Sequence, residues 1–247
     1  MNQLRAGWKL LRGLVHVLAG LCTIVLLFPR LSQSQKDVRV QAWALELLEH
    51  FAIKLVVRGQ PPAIGPMLLV SNHISWLDIV VMHAARHCRF VSKSDVQGWP
   101  LVSTLANAAG TLYIERASRR DAMRVVHHMA KALRAGDVLA VFPEGTTGDG
   151  GQLLPFHANL IQAAISAQAP VQPLALQFVD AASGRPSRAP SYVGDETLGG
   201  SIWRTLSARG LVAVVSFGEP QRAHGRDRRA WAADLRAAVA ELQKIRR

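Results

Sequence analysis

A chain of 247 residues, 49% apolar and 19% charged, is ample for one α/β domain with a short extra element and does not demand two full domains. Its formal charge of +12 asks for an anionic partner, nucleic acid or a membrane surface. No nucleic-acid-binding motif is recognisable, and two cysteines, Cys22 and Cys88, are inconsistent with a disulfide scaffold or a thiolate metal site, in keeping with a reduced cytosolic setting.

In chain order, the stretch from Gly13 to Phe28 is apolar except for His16 and Thr23, with Arg5, Lys9, Arg12 and Arg30 around it and Pro29 closing it. It falls slightly short of the ~20 residues that cross a bilayer core. A tilted span reaching back past snorkelling Arg12 and Lys9 and a half-inserted interfacial helix both remain open. A third reading, a cleavable signal peptide, lacks a small-x-small site after Phe28. The pattern of Val38, Val40, Trp43, Leu47 and Phe51 predicts a second, amphipathic helix over about residues 37–56, so that residues 1–56 form a membrane-associating helical hairpin and residues 57–247 the main domain, ending in a basic helix.

The apolar run Met67 to Val70 predicts a strand, followed at once by Ser71-Asn72-His73-Ile74-Ser75-Trp76-Leu77-Asp78. A neutral imidazole takes a proton from a hydroxyl near pH 7, and a nearby carboxylate fixes its tautomer and stabilises the imidazolium. Five residues of regular helix turn through roughly 500°, which would place His73 and Asp78 on different faces. His73 is therefore expected in a turn, with a helix starting near Ser75 and Asp78 reaching back from its first turns. No G-x-S-x-G elbow accompanies the pair, which leaves the attacking hydroxyl to the substrate.

Further along, Gly110 to Arg116 reads as a strand ending in the charged pair Glu115-Arg116, residues 122–134 as a helix stopped by Gly136, and Val138 to Phe142 as a strand running into Pro143-Glu144-Gly145-Thr146-Thr147. Residues 157–168 read as a helix, Pro170 to Leu176 as a strand, 183–190 as a loop, Leu211 to Phe217 as a late strand and 231–245 as a basic amphipathic helix. This alternation predicts an α/β fold with a mainly parallel central sheet flanked by helices. The histidines His83, His87, His127 and His128 lack an acidic or third-histidine neighbour to complete a metal set.

In this order and at these intervals, four blocks resemble those of the glycerolipid acyltransferases, a family typified by bacterial 1-acylglycerol-3-phosphate acyltransferases, over about residues 57–179. The first, asparagine-histidine-four residues-aspartate, matches at Asn72, His73 and Asp78; the second at Gly110, Glu115 and Arg116; the third at Phe142 through Thr146; the fourth around Pro173. The resemblance implies transfer of a fatty acyl group from acyl-CoA or acyl carrier protein to the free hydroxyl of a lyso-lipid, with no tightly bound cofactor, no metal and no nucleic acid. It implies His73 as base, Asp78 as its orienting partner, and Lys93, Arg116, Glu144, Gly145, Thr146 and Thr147 at the acceptor. It also implies a protein of phospholipid biosynthesis on the bacterial inner membrane, with a cytoplasmic catalytic domain.

One departure bears on the acceptor. Many lysophosphatidate-specific members carry an arginine directly after the third block's threonine, where this chain has Thr147. Threonine lacks the charge and the forked donors of arginine, which makes a lyso-lipid with another head group, such as a lyso-ornithine lipid, the competing acceptor. Two other classes stand beside these readings. A thioester or lysolipid hydrolase would use the same base on water, and a non-catalytic membrane-binding protein would have no need of the His73/Asp78 pair.

Overall fold

The computed structural model describes residues 2–114 and 119–244, with backbone only at residues 2, 93, 95, 114, 119, 120 and 122. Helix α1 (Asn2–Leu26) is followed by a 3-10 turn at Phe28–Arg30 and by α2 (Gln33–His50). The second helix differs from the expected 37–56 at both ends. It starts earlier because Ser32 and Gln35 form a reciprocal capping box, which satisfies the free N–H groups of the first turn. It stops at His50 because Ala52 turns left-handed, with φ of 55°. The amides of Ile53 and Ala52 then close back on the carbonyls of Leu48 and Glu49 at 2.9 Å each, a Schellman ending that releases the chain into strand β1 (Lys54–Arg58).

Beyond it lie β2 (Met67–Ser71), α3 (Leu77–Ala85), β3 (Arg89–Lys93), α4 (Pro100–Ala108), β4 (Leu112–Ile114), α5 (Arg119–Arg134), β5 (Val138–Val141), α6 (Ala158–Ala167), β6 (Val171–Asp180), α7 (Leu198–Ser207), β7 (Leu211–Phe217) and α8 (Arg228–Lys244). Among the described residues the strands form one sheet in the order β1-β7-β6-β2-β5-β3-β4. Every pairing is parallel except β6 with β7. The sheet is therefore the mainly parallel one expected, with helices on both faces.

Alternation along the strands divides the core in two. Met67 and Leu69 join Leu47 and Leu48 of α2, Leu77 and Val81 of α3 and Leu206 of α7, whereas Leu68 and Val70 join Met129 and Leu133 of α5, Ile161 of α6 and Trp231 and Leu235 of α8. Buried on both faces, β2 is uninterruptedly apolar until Ser71.

Helix α1 lies outside α2 and α7. Its inward stripe, Ala6, Lys9, Gly13, His16 and Gly20, follows helical spacing. A Cβ at Gly13 would lie 2.3 Å from the Phe51 ring, and one at Gly20 would lie 2.5 Å from the Trp43 indole nitrogen, so these glycines set how closely the two helices meet. His16 stacks on Trp43 with ring centroids 5.2 Å apart. The opposite stripe, Leu4, Trp8, Leu11, Val15, Leu18 and Leu26, is exposed. Residues 3–26 are long and apolar enough to cross a membrane, by length and composition.

Candidate active site

Four neighbouring strands, β2, β5, β3 and β4, end side by side, and the motif residues follow their carboxyl ends, where open α/β sheets bind ligands. As β2 turns out of the sheet, the side chain of Asn72 takes over its ladder: Nδ2 donates to the Leu176 carbonyl at 3.0 Å and Oδ1 accepts the Leu176 N–H at 2.8 Å. This closes the seam between β2 and β6 after the backbone has left it, so the turn carrying His73 begins from a fixed point.

The turn brings His73 and Asp78 together. His73 Nδ1 lies 2.8 Å from Asp78 Oδ2, and the same oxygen accepts the N–H groups of Ile74 at 2.6 Å and Ser75 at 2.9 Å. Helix α3 starts at Leu77, two residues after Ser75, with Asp78 in its first turn and fully buried. A carboxylate only accepts, so the ring carries its hydrogen on Nδ1 and keeps the Nε2 lone pair for another partner. The imidazole lies flat on Phe142, centroids 3.9 Å apart and 7° from parallel. Phe142 stacks in turn on Phe90 at 5.7 Å, and Phe90 meets His83 edge-on. Burial pushes His83 down to about 3, so that ring stays neutral in the column at physiological pH.

After β5 the chain folds back on the His73 turn. The Gly145 amide closes onto the Phe142 carbonyl at 3.1 Å, with φ of 75° at the glycine, and the Gly148 amide donates to the His73 carbonyl at 2.8 Å. The Thr147 hydroxyl donates to the Tyr192 carbonyl, and the Tyr192 amide donates to the Ile74 carbonyl at 3.0 Å. Thr146 is exposed. Lys93 ends β3, its side chain outside the described residues, and Arg116 with Glu115 likewise lies outside them, two residues past the end of β4.

Glu144 is buried, with Oε1 unpartnered. Burial first, and the neighbouring charge of Asp78 second, push its carboxyl up to about 7, against the pull of the His73 and Leu154 amides and of Arg236. Sequence reasoning missed Arg236, on α8, which donates to the carbonyls of Leu153 at 2.6 Å and Leu154 at 3.0 Å and so holds the segment that reaches Glu144. No local signal connects an arginine in a basic amphipathic helix with a loop more than eighty residues earlier. Phe142 was visible in the third block, but nothing in the sequence says that it supports the imidazole.

A carboxyl raised in the folded state stabilises through its protonated form. The contribution is complete below the ordinary carboxylate range and is lost as pH rises through about 7. From the ordinary range to about 7, the loss amounts to on the order of 3 kcal/mol. Thermal melts between pH 5 and 8 should therefore show a fall in Tm that Glu144→Gln lacks; identical slopes for the two proteins would refute the buried neutral acid.

Residues 54–177 match the family described as Acyltransferase. A lyso-ornithine lipid O-acyltransferase from Pseudomonas aeruginosa is 34% identical over 233 residues, covering 93% of this chain and 89% of that protein. A 1-acyl-sn-glycerol-3-phosphate acyltransferase from Neisseria gonorrhoeae is 38% identical over 162 residues, covering 66% of this chain and 63% of that protein. The fold is similar to the crystal structure of the 1-acyl-sn-glycerophosphate acyltransferase of Thermotoga maritima, with a TM-score of 0.65 at 18% identity, over 99% of this chain and 98% of that one.

Proposed function

Because the chain belongs to the acyltransferase family, we propose that it moves a fatty acyl group from a thioester to the free hydroxyl of a lyso-lipid of the 1-acylglycerol-3-phosphate type, with His73 as general base. The observation that carries this reading is the 2.8 Å contact between His73 Nδ1 and Asp78 Oδ2, which leaves Nε2 available at the strand ends. Nε2 takes the acceptor hydroxyl's proton as its oxygen attacks the thioester carbonyl. The tetrahedral intermediate collapses, the carbon–sulfur bond breaks, and the departing thiolate takes the proton from the imidazolium. The new ester remains on the lipid. Asp78 holds the ring in one orientation through both transfers.

Glu144, Gly145, Thr146 and Thr147, together with Lys93 and Arg116, are assigned to the acceptor head group. With its carboxyl pushed up to about 7, Glu144 is protonated in a substantial fraction of molecules at neutral pH, and in that form it donates a hydrogen bond as well as accepting, which suits a hydroxylated or amide-bearing head group. The donor is acyl-CoA or acyl carrier protein. Both are soluble in the cytoplasm, which sets the domain on the cytoplasmic face of a bacterial inner membrane with the exposed stripe of α1 in the lipid. Incubating the purified protein in vesicles with both donors against a panel of lyso-lipids, and identifying products by mass spectrometry, tests the reaction; hydrolysis of the thioester with no acylated lipid under any pairing would refute it.

A second acceptor, a lyso-ornithine lipid, is favoured by one observation. The Thr147 hydroxyl is spent on the Tyr192 carbonyl, so this position offers a head group neither charge nor a spare donor. On this reading the protein acylates lyso-ornithine lipid better than lysophosphatidate, and Thr147→Arg shifts relative kcat/KM toward the phosphate. A charge-assisted contact of about 1.5–3 kcal/mol corresponds to roughly tenfold or more. Thr147→Val removes the tie to Tyr192 without adding charge and should not reproduce the shift. Efficient use of lysophosphatidate with no acylation of phosphate-free lyso-lipids would sink the second reading.

A further inference from the structure

Helix α4 is composed of apolar and small polar residues without a charge, and none of its residues is buried. Residues 97–101 at its start are all exposed, with Trp99 at 52% and Leu101 at 47%. An uncharged helix whose residues 102–106 are only partly buried against its own domain, and which opens on a half-exposed tryptophan and leucine, leaves apolar surface to be covered from outside. Its position says by what. Helix α4 packs against α1, whose outward stripe of Leu4, Trp8, Leu11, Val15 and Leu18 is the exposed apolar face of the molecule's edge. It also follows β3 through the 3-10 turn Ser94–Gly98, and β3 lies beside β5, the strand that delivers Phe142 and Glu144.

We propose that Trp99 and Leu101 enter the same bilayer as the outer stripe of α1, so that the protein touches the membrane at two separate elements, one of them at the rim of the His73 site. The proposal rests on the membrane-anchored reading above and extends it. Tryptophan is suited to this depth, because its ring is apolar while its N–H stays within reach of water and head groups. Exposed Arg5, Arg12 and Arg30 provide the attraction to anionic lipid that accompanies such insertion. With α1 alone the domain could pivot about one helix axis. A second contact beside β3 fixes the tilt and turns the strand ends toward the lipid, so a lyso-lipid hydroxyl reaches His73 with its acyl chain still in the leaflet.

The test places a bimane fluorophore on single introduced cysteines in the full chain carrying Cys22→Ala; Cys88 is retained, because it is buried and its thiol is pushed up to about 12 by that burial. Labels go at Trp99→Cys, Leu101→Cys, Leu18→Cys on the outer stripe of α1, and His128→Cys at an exposed position of α5 across the sheet. In vesicles of phosphatidylethanolamine and phosphatidylglycerol, labels at 99, 101 and 18 should be quenched several-fold more by nitroxide lipids than by aqueous iodide, and the label at 128 the reverse. If 99 and 101 behave like 128 while 18 is in lipid, the inference is overturned and the α1 anchor stands. Labels at 99 and 101 shielded from both quenchers, with cross-linked dimers, would overturn it in favour of a second copy of the chain. If 18 also behaves like 128, the anchoring reading itself fails and the inference falls with it.

Discussion

His73→Ala will lower turnover by about 10²–10⁴-fold while leaving a folded, membrane-bound protein. The loss follows from chemistry, because the ring is the base assigned to the acceptor hydroxyl and alanine offers no substitute. The fold should survive. His73 is partly exposed, with 19% of its side chain accessible, so its removal opens the site mouth and leaves no sealed core cavity. The cost falls on Asp78, whose Oδ2 loses one of its three donors but keeps the amides of Ile74 and Ser75. Steady-state rates at saturating donor and acceptor, beside circular dichroism and a melt, check both halves of the claim. A folded variant that retains more than about a tenth of wild-type turnover, with chemistry limiting, would show that another group takes the proton.

Asp78→Asn is expected to reduce turnover on a comparable scale, through the opposite mechanism: the base remains and its orientation is lost. An asparagine oxygen satisfies the Ile74 and Ser75 amides, but then its NH2 faces His73 Nδ1 and favours the tautomer with hydrogen on Nε2, the nitrogen meant to accept. In Ser-His-Asp enzymes the same exchange costs about 10⁴-fold. Asp78→Ala would instead leave buried amides unpaired, at about 1–3 kcal/mol each, and confuse folding with chemistry, which is why the isostere is the informative change. The kcat–pH profile of Asp78→Asn separates a base in the wrong tautomer from a merely displaced ring. The wrong tautomer shows partial recovery of rate at higher pH; a flat, uniformly low profile would argue for displacement.

Much of the scaffold was legible because strands buried on both faces are written as unbroken apolar runs. Met67–Ser71, Val138–Val141 and Leu211–Phe217 differ from the expected segments by a residue at most. The antiparallel pairing of β6 with β7 was not legible, since local pattern carries no information about a distant partner's direction. Nor were the ends of α2, where a capping box and a left-handed alanine outrank the apolar periodicity that suggested 37–56. At the candidate site, the spacing of His73 and Asp78 foretold a turn and a helix start. What the spacing did not contain were contacts made across the sheet: Phe142 beneath the imidazole, the Asn72 amide on Leu176, the tie from Thr147 to Tyr192, and Arg236 behind Glu144. Each joins segments brought together only by the finished fold.

The outward stripe of α1 changes what concentration means for this enzyme. A catalyst held on a film meets its lipid acceptor in two dimensions and its thioester in three. The acceptor's effective dose is then its mole fraction among the surrounding lipids, whatever the bulk molarity. Adding inert phospholipid at constant total lyso-lipid dilutes the film and slows the reaction, while adding vesicles of unchanged composition does not. The thioester obeys ordinary solution saturation throughout.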